Sequence, residues 1–344
     1  MDDMNATVEK VMASNNAIIL DAVMKCRSVL EGHARASVSI SGGGGDSDLM
    51  LDLVERTRVG AGCEVFYVFF DTGLEYIATK RHLTELEQKY GVEIVRRRAE
   101  KSIPLCVKQY GQPFLSKYVS QNMERLQRHG FQWEDEPLDV LSERYPRCLS
   151  ALKWWTNSWT RTDEPGSFDI GRVTHLRDFI IENPPDFRIS DKCCYYAKKL
   201  VGRSVNAELG IDVELVGVRK AEGGIRASSY KSCFDVASND RMYDVYRPLF
   251  WFSNQDKAQY EGIFGVTHSD CYSVYGFART GCSCCPFGRK LDLELSTIKE
   301  YEPNMYKAVT TVFADSYEYT RRFREFQRER RTGQMAFDLR HARC

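Results

Sequence analysis

The chain has 344 residues, 43% of them hydrophobic, with 48 basic and 48 acidic side chains. That length suits about two domains of roughly 100–200 residues each, and the apolar share supports ordinary cores and excludes wholesale disorder. A formal charge of zero removes net charge as an argument for nucleic acid and leaves only local clusters.

Residues 1–35 read as a helical segment, with Val8, Val11, Met12, Ile18, Ile19, Ala22 and Val23 at helical spacing. The stretch 36–99 reads as the first part of an α/β domain. "ASVSIS" (36–41) is β-prone and runs into four glycines, and "DLMLDLVERT" (48–57) returns to a helical pattern. "CEVFYVFFD" (63–71) is a near-continuous apolar run, as expected of a strand covered on both faces. An amphipathic helix over 75–91 and a strand over 92–98 follow. Strand, loop, helix, strand, helix, strand predicts a doubly wound, mostly parallel α/β sheet.

Residues 100–190 read as a mostly helical insertion closed by the loop "IENPPDFRIS". Residues 191–290 return to the α/β domain: a helix over 192–207, a core strand in "DVELVGVRK" (212–220), a further strand in "DVYRPLFWF" (244–252) and a helix near 254–263. The last part, 291–344, reads as a helical, Arg-rich region. Its "RRFREFQRERRTGQMAFDLRHARC" holds eight arginines against three acids, which fits either a phosphate-tracking surface or a solvated face laced with ion pairs.

The acidic start "MDDMNATVEK" lacks the basic and apolar regions of a signal peptide. No apolar stretch reaches the about 18 residues of a membrane helix. The chain therefore reads as cytoplasmic. In a reducing compartment its 12 cysteines point to metal binding or catalysis rather than disulfides.

"SISGGGGDSDLMLDL" (39–53) is either a flexible linker or a phosphate cradle. Its flanks, a strand and a helix, favour the cradle, where backbone N–H groups surround an anion at a helix start. Asp46 and Ser47 then fall at that start as caps. The loop lacks the G-K-[ST] ending of a Walker A motif and the spacing of a dinucleotide fingerprint. Arg219, Lys220 and Arg226 follow a core strand, where open α/β sheets place their ligand loops, and arginine suits phosphate or sulfate. Cys193 and Cys194 are adjacent, and Cys282 and Cys285 form a C-x-x-C. Four such thiols suit Zn²⁺ or a [4Fe–4S] cluster, and adjacent cysteines are awkward for a zinc ribbon. Cys26, Cys63, Cys106, Cys148 and Cys233 read as buried small hydrophobes. Cys271 lies near the site or in the core, and His268 takes a hydrogen-bonded structural role. The tryptophans of "KWWTNSW" read as core of the insertion.

The glycine loop resembles the S-G-G-x-D-S loop of the N-type ATP pyrophosphatases and the phosphoadenosine phosphosulfate reductase family. "FFDTGLEY" (69–76) resembles that family's F-x-D-T-G motif, "VGVRKAEGGIRA" (216–227) its G-x-R-x-x-E-x-x-x-R-A segment, and "VYRPLFWFSNQDKAQY" (245–260) its P-x-x-x-W stretch. The matches keep the family's order over 37–288. One glycine is extra: Gly44 and Gly45 both stand before Asp46 where the pattern has one residue.

This resemblance implies an adenine nucleotide alpha hydrolase-like fold. It implies Asp46, Ser47, Arg219 and Arg226 as catalytic residues, with Ser41, Gly42, Gly43, Gly44, Gly45, Asp71, Thr72, Gly73 and Lys220 on the nucleotide. The Cys-Cys…Cys-x-x-Cys arrangement is similar to that of assimilatory adenylyl-sulfate reductases, which implies that Cys193, Cys194, Cys282 and Cys285 hold a [4Fe–4S] cluster in preference to zinc. The implied activity is cleavage of ATP to AMP and pyrophosphate with Mg²⁺, adenylating an acceptor for sulfur transfer. The implied partners are tRNA or DNA as acceptor, a sulfur donor such as a cysteine desulfurase or a thiol reductant, and a second copy of the chain. Two alternatives stand beside it. A sulfonucleotide reductase releasing sulfite needs a cysteine nucleophile, and this chain has no E-C-G-[IL]-H motif, ending instead in Cys344. A non-catalytic nucleotide sensor is the other.

Overall fold

A computed structural model describes residues 2–41, 45–160, 164–223, 230–239 and 241–341, with the side chains of residues 2–3 and 333–341 outside the description. The chain divides into two compact units, residues 1–100 with 196–283, and 101–195 with 284–344. Among the described residues, no helix is long and apolar enough to cross a membrane.

The first unit is the α/β one. Helices α1 (Asp2–Ala13) and α2 (Ala17–Glu31) precede β1 (Arg35–Ile40), followed by α3 (Asp46–Arg58), β2 (Glu64–Asp71), α4 (Ile77–Tyr90) and β3 (Ile94–Arg98). After 196 come the helix Leu200–Glu208, β4 (Val213–Leu215), β5 (Phe234–Asp235), β6 (Asp244–Tyr246) and the helix Asn254–Phe264. The six strands lie in the order β3-β2-β1-β4-β6-β5. Every pairing is parallel except β5 with β6. The expected doubly wound, mostly parallel sheet is what the structure has.

The alternation along β2 explains the two layers. Tyr67 and Phe69 join a core with Leu49, Met50, Leu53, Leu83, Leu86 and Tyr260, from α3, α4 and the Asn254–Phe264 helix. The neighbouring Phe70 points to the other face, where a Cβ on Gly202 of the Leu200–Glu208 helix would lie 3.3 Å from its ring. Successive side chains of a strand face opposite ways, so an apolar run with no polar alternation has to be covered twice.

Three elements differ from expectation. The strand expected over 212–220 stops at Leu215, although Val216 N–H still donates to Tyr246 O at 3.0 Å. The strand expected over 244–252 stops at Tyr246. The helix expected over 192–207 is Lys192–Cys194, a π turn at Tyr195–Lys199, and then Leu200–Glu208. Such π turns interrupt helices that apolar spacing alone reads as continuous.

The second unit is helical. Its core gathers Phe114, Met123, Leu126, Trp154, Trp155, Phe179, Tyr319 and Phe323. Trp154 and Trp155 are core residues as expected, and the Trp155 indole N–H donates to Glu134 O at 2.8 Å. Trp159 is exposed. The Arg-rich end is the helix Ala314–His341. Three of its arginines engage their own unit: Arg324 pairs with Asp292 at 2.6 Å, Arg330 with Glu182, and Arg322 donates to Asn183 Oδ1 at 2.7 Å. That engagement favours the ion-paired face over the phosphate-tracking one.

Candidate functional site

Parallel strands end together. The segments leaving β1, β2, β4 and β6 all emerge at one edge of the sheet. The chain turns from β1 toward β2 on one side, while β4 lies on the other. This divergence is the place where open α/β sheets hold ligands.

The β1–α3 segment delivers the first residues. Gly45 takes φ +67, a left-handed conformation costly for other residues. It is the cap of α3, and Asp46 and Ser47 are the first two helical residues. The expectation that Asp46 and Ser47 are caps is thus corrected: Gly45 holds the cap position, and both residues lie inside the first turn of α3. Arg219 Nε lies 2.8 Å from Asp46 Oδ2, and Lys257 Nζ 3.1 Å from Oδ1. Arg219 is buried and also donates to Asn254 Oδ1 at 3.0 Å. The Ser41 and Ser47 hydroxyls are 2.8 Å apart across the neck of the loop.

Gly217 explains how closely these segments approach. A Cβ there would lie 3.3 Å from the Asp46 carbonyl carbon and oxygen and 3.5 Å from Ser47 N. That is a tight fit, and it also accounts for the early end of β4, since the chain after Leu215 runs under the start of α3.

Beneath the loop, Asp48 is fully buried. Its Oδ2 is 2.9 Å from His82 Nε2 and 3.0 Å from His268 Nδ1, whereas Oδ1 has no hydrogen-bond partner among the described residues. Burial alone would raise the Asp48 carboxyl; the hydrogen bonds and charge of His268 and His82 outweigh it and hold it below the usual carboxylate range. Desolvation works against protonation of both histidines, but Asp48, with Glu261 for His268 and Glu85 for His82, lifts both above the ordinary value.

At the end of β2, Asp71 Oδ1 accepts Gly73 N–H at 2.9 Å, and Thr72 Oγ1 donates to the buried Glu75 at 2.5 Å. Burial pushes the Glu75 carboxyl up. Lys220 Nζ sits 5.2 Å from the centre of the Trp251 ring. Gly42, Gly43, Gly44, Arg226 and Cys344 lie outside the described residues.

The structure therefore brings Ser41, Gly45, Asp46, Ser47 and Arg219 together. Sequence reasoning missed Lys257, Asn254 and the Asp48–His82 pair. A signal for Lys257 existed: Ser253-x-x-Asp256 forms a capping box, which fixes the helix start and puts Lys257 in its first turns.

The cysteines divide differently. Cys193, Cys194 and Cys285 belong to the helical unit and Cys282 to the α/β unit. Cys282 Sγ receives the Thr72 hydroxyl at 3.8 Å. Among the described residues, no group of three or more His, Cys, Asp or Glu side chains is arranged to hold a metal ion. Cys26, Cys106, Cys148 and Cys271 are buried, and Cys63 and Cys233 half-buried.

No family model matches the chain, and no curated protein sequence matches it. Among solved structures it is similar to the phosphoadenylyl-sulfate (PAPS) reductase from Candida auris in its phosphate complex, at 12% identity and TM-score 0.39, covering 72% of this chain and 80% of that one. It is also similar to the U34-tRNA thiolase NcsA from Methanococcus maripaludis with its [4Fe-4S] cluster, at 12% identity and TM-score 0.39, covering 88% of this chain and 79% of that one.

Proposed function

We propose that the chain is an adenine-nucleotide-dependent enzyme of sulfur chemistry, of the phosphoadenosine phosphosulfate reductase and ATP pyrophosphatase type. It binds ATP at the β1–α3 loop and cleaves it to AMP and pyrophosphate while adenylating an acceptor. The observation that carries this reading is the convergence of Arg219 and Lys257 on Asp46 at the start of α3. Two cations beside helix-terminal N–H groups make an anion site suited to a departing pyrophosphate.

In the proposed step an acceptor oxygen bonds to the α-phosphorus, and the bond from that phosphorus to the α,β-bridging oxygen breaks. Pyrophosphate leaves with the electron pair, its charge met by Arg219 and Lys257. A sulfur nucleophile then displaces AMP from the acceptor. Asp46 acts as a positioning residue, holding both cations in place until phosphate competes for them. Both its oxygens are engaged, so Mg²⁺ enters on the nucleotide, whose phosphate charge it neutralises.

A tRNA base or a DNA backbone phosphate is the proposed acceptor class, with a sulfur donor protein or thiol reductant as co-reactant. A [4Fe–4S] group on Cys193, Cys194, Cys282 and Cys285 belongs to the proposal through the ligand chemistry of four thiols alone. Anaerobically purified protein should then be brown, absorbing near about 400 nm. A colourless protein with stoichiometric zinc would remove the cluster from the scheme.

The deciding assay offers ATP, adenylyl sulfate and its 3′-phosphorylated form anaerobically, tracking pyrophosphate and sulfite together. Pyrophosphate from ATP, lost in Arg219→Ala, is the expected result. Sulfite formed with a thiol donor would reassign the chain as a reductase. Tight ATP binding with neither product would make it a sensor.

A further inference from the structure

His268 faces two demands that a single ring nitrogen cannot meet together. Its Nδ1 lies 3.0 Å from Asp48 Oδ2 and also accepts the Gly45 backbone N–H at 3.2 Å. A protonated Nδ1 can donate to Asp48 but has no lone pair for Gly45; a bare Nδ1 can accept from Gly45 but has no proton for Asp48. The other nitrogen, Nε2, is held by Glu261 Oε1 at 2.8 Å, so ring rotation offers no escape.

We propose that His268 is a positioning residue of the nucleotide site, releasing the Gly45 N–H to the phosphate when it is protonated and sequestering that N–H when it is neutral. The inference rests on the reading of the β1–α3 loop as the phosphate site. Anion binding there is accordingly coupled to uptake of one proton by His268: the anion recruits the Gly45 N–H, and Nδ1 turns to Asp48 with a proton.

The surroundings fit this coupling. Asp48 from α3 and Glu261 from the Asn254–Phe264 helix face the ring as anions. His82 from α4 shares Asp48 Oδ2 and is itself backed by Glu85. Lys257 lies 3.7 Å from Glu261 and pairs with Asp46, which in turn meets Arg219. The Tyr272 ring, from the helix Asp270–Ser273, packs with its centre 5.6 Å from the His268 ring. Among the described residues the other Asp48 oxygen has no partner and Oδ2 meets the two histidines, so loss of the His268 proton is felt directly. Burial of the ring works against the proton, but the buried Asp48 and the half-buried Glu261 outweigh it and raise the value at which that proton is lost.

The test is direct binding of ATP and of inorganic pyrophosphate by calorimetry across pH 6 to about 9, in two buffers of different ionisation enthalpy. In the wild-type chain, affinity should fall as pH rises through the His268 transition, approaching tenfold per unit for one linked proton. His268→Gln, which keeps a hydrogen-bonding side chain, should flatten that slope and reduce proton uptake by about one. Glu261→Gln should move the transition to lower pH. An unchanged slope and proton uptake in His268→Gln, with wild-type binding intact, would overturn the inference and leave the proposed function standing. Absence of binding by the wild-type chain at every pH would overturn both. If His268→Gln does not fold, the wild-type histidine NMR titration decides: the His268 resonance should shift to a higher pKa when pyrophosphate is added, and no shift overturns the proposal.

Discussion

Two of the carboxylates on helix α3, Asp52 and Asp46, have surroundings that differ in kind. Asp52, near the middle, receives Arg56 Nε at 2.6 Å, Tyr260 OH at 2.9 Å and Tyr90 OH at 2.9 Å. Both its oxygens are met by partners packed into the same core, and the Arg56 guanidinium lies over the Phe264 ring. Asp46, at the end of the helix, is met by Arg219 and Lys257, which arrive from after β4 and after β6. The first arrangement closes on itself and holds a helix in place. The second gathers long cationic side chains at a sheet edge, where an anion can replace the carboxylate. Pairing alone does not distinguish structure from function; the origin of the partners does.

The most severe way to break this contrast is Arg219→Ala. Removing one member of a buried ion pair costs about 3–5 kcal/mol, and pyrophosphate affinity should fall by on the order of 100-fold or more, measured by calorimetry. Asp52→Ala should cost about 3 kcal/mol of stability in a denaturant titration, while nucleotide affinity in the folded protein stays within about twofold. Equal loss of binding in both variants would erase the distinction drawn here.

Gly217→Ala sharpens it at lower cost. The added methyl presses on the Asp46 carbonyl and should cost about 1–2 kcal/mol. A several-fold loss of pyrophosphate binding, rather than stability alone, is the expected outcome. Trp159→Ala marks the floor: the side chain is exposed, and both stability and binding should move by less than about 0.5 kcal/mol.

The histidine–carboxylate group gives a pH signature. Asp48 is held below its ordinary value, so its contribution is present above the unfolded carboxylate range and is lost as pH falls through the depressed folded value. His82 and His268 are raised above 6.5. Their contribution is complete below 6.5 and is lost as pH rises through the elevated folded values. Stability measured by chemical denaturation should therefore fall at both ends, and His82→Gln should flatten the alkaline limb.

Much of the fold was legible because burial on two faces writes itself plainly: β2 has no polar alternation to misread. The early ends of β4 and β6 were not legible, since Gly217 leaves the sheet to pass under Asp46, a contact between segments about 170 residues apart. The π turn at Tyr195–Lys199 preserves apolar spacing well enough to pass for a helix. At the site, Asp46, Ser47 and Arg219 were readable from local motifs. The capping box signalled the turn that holds Lys257, but its meeting with Asp46 and the Asp48–His268 contact were not readable, because each depends on where the chain returns after β6. His268 was expected to be structural, and its hydrogen bonds to Asp48 and Glu261 agree; only its second contact, with Gly45, suggests more.

The two described ends of the glycine loop, Ser41 and the start of α3, are each held by a contact. On one side the Ser41 hydroxyl is tied to Ser47; on the other the Asp46–Ser47 backbone rests against Gly217. Neither anchor uses an atom of Gly42, Gly43 or Gly44. An insertion in the span can change its reach without shifting the footing of α3, so loop length and helix register can vary independently. Deleting one of Gly42–Gly44 should accordingly alter which phosphate length binds best and leave the melting temperature nearly unchanged.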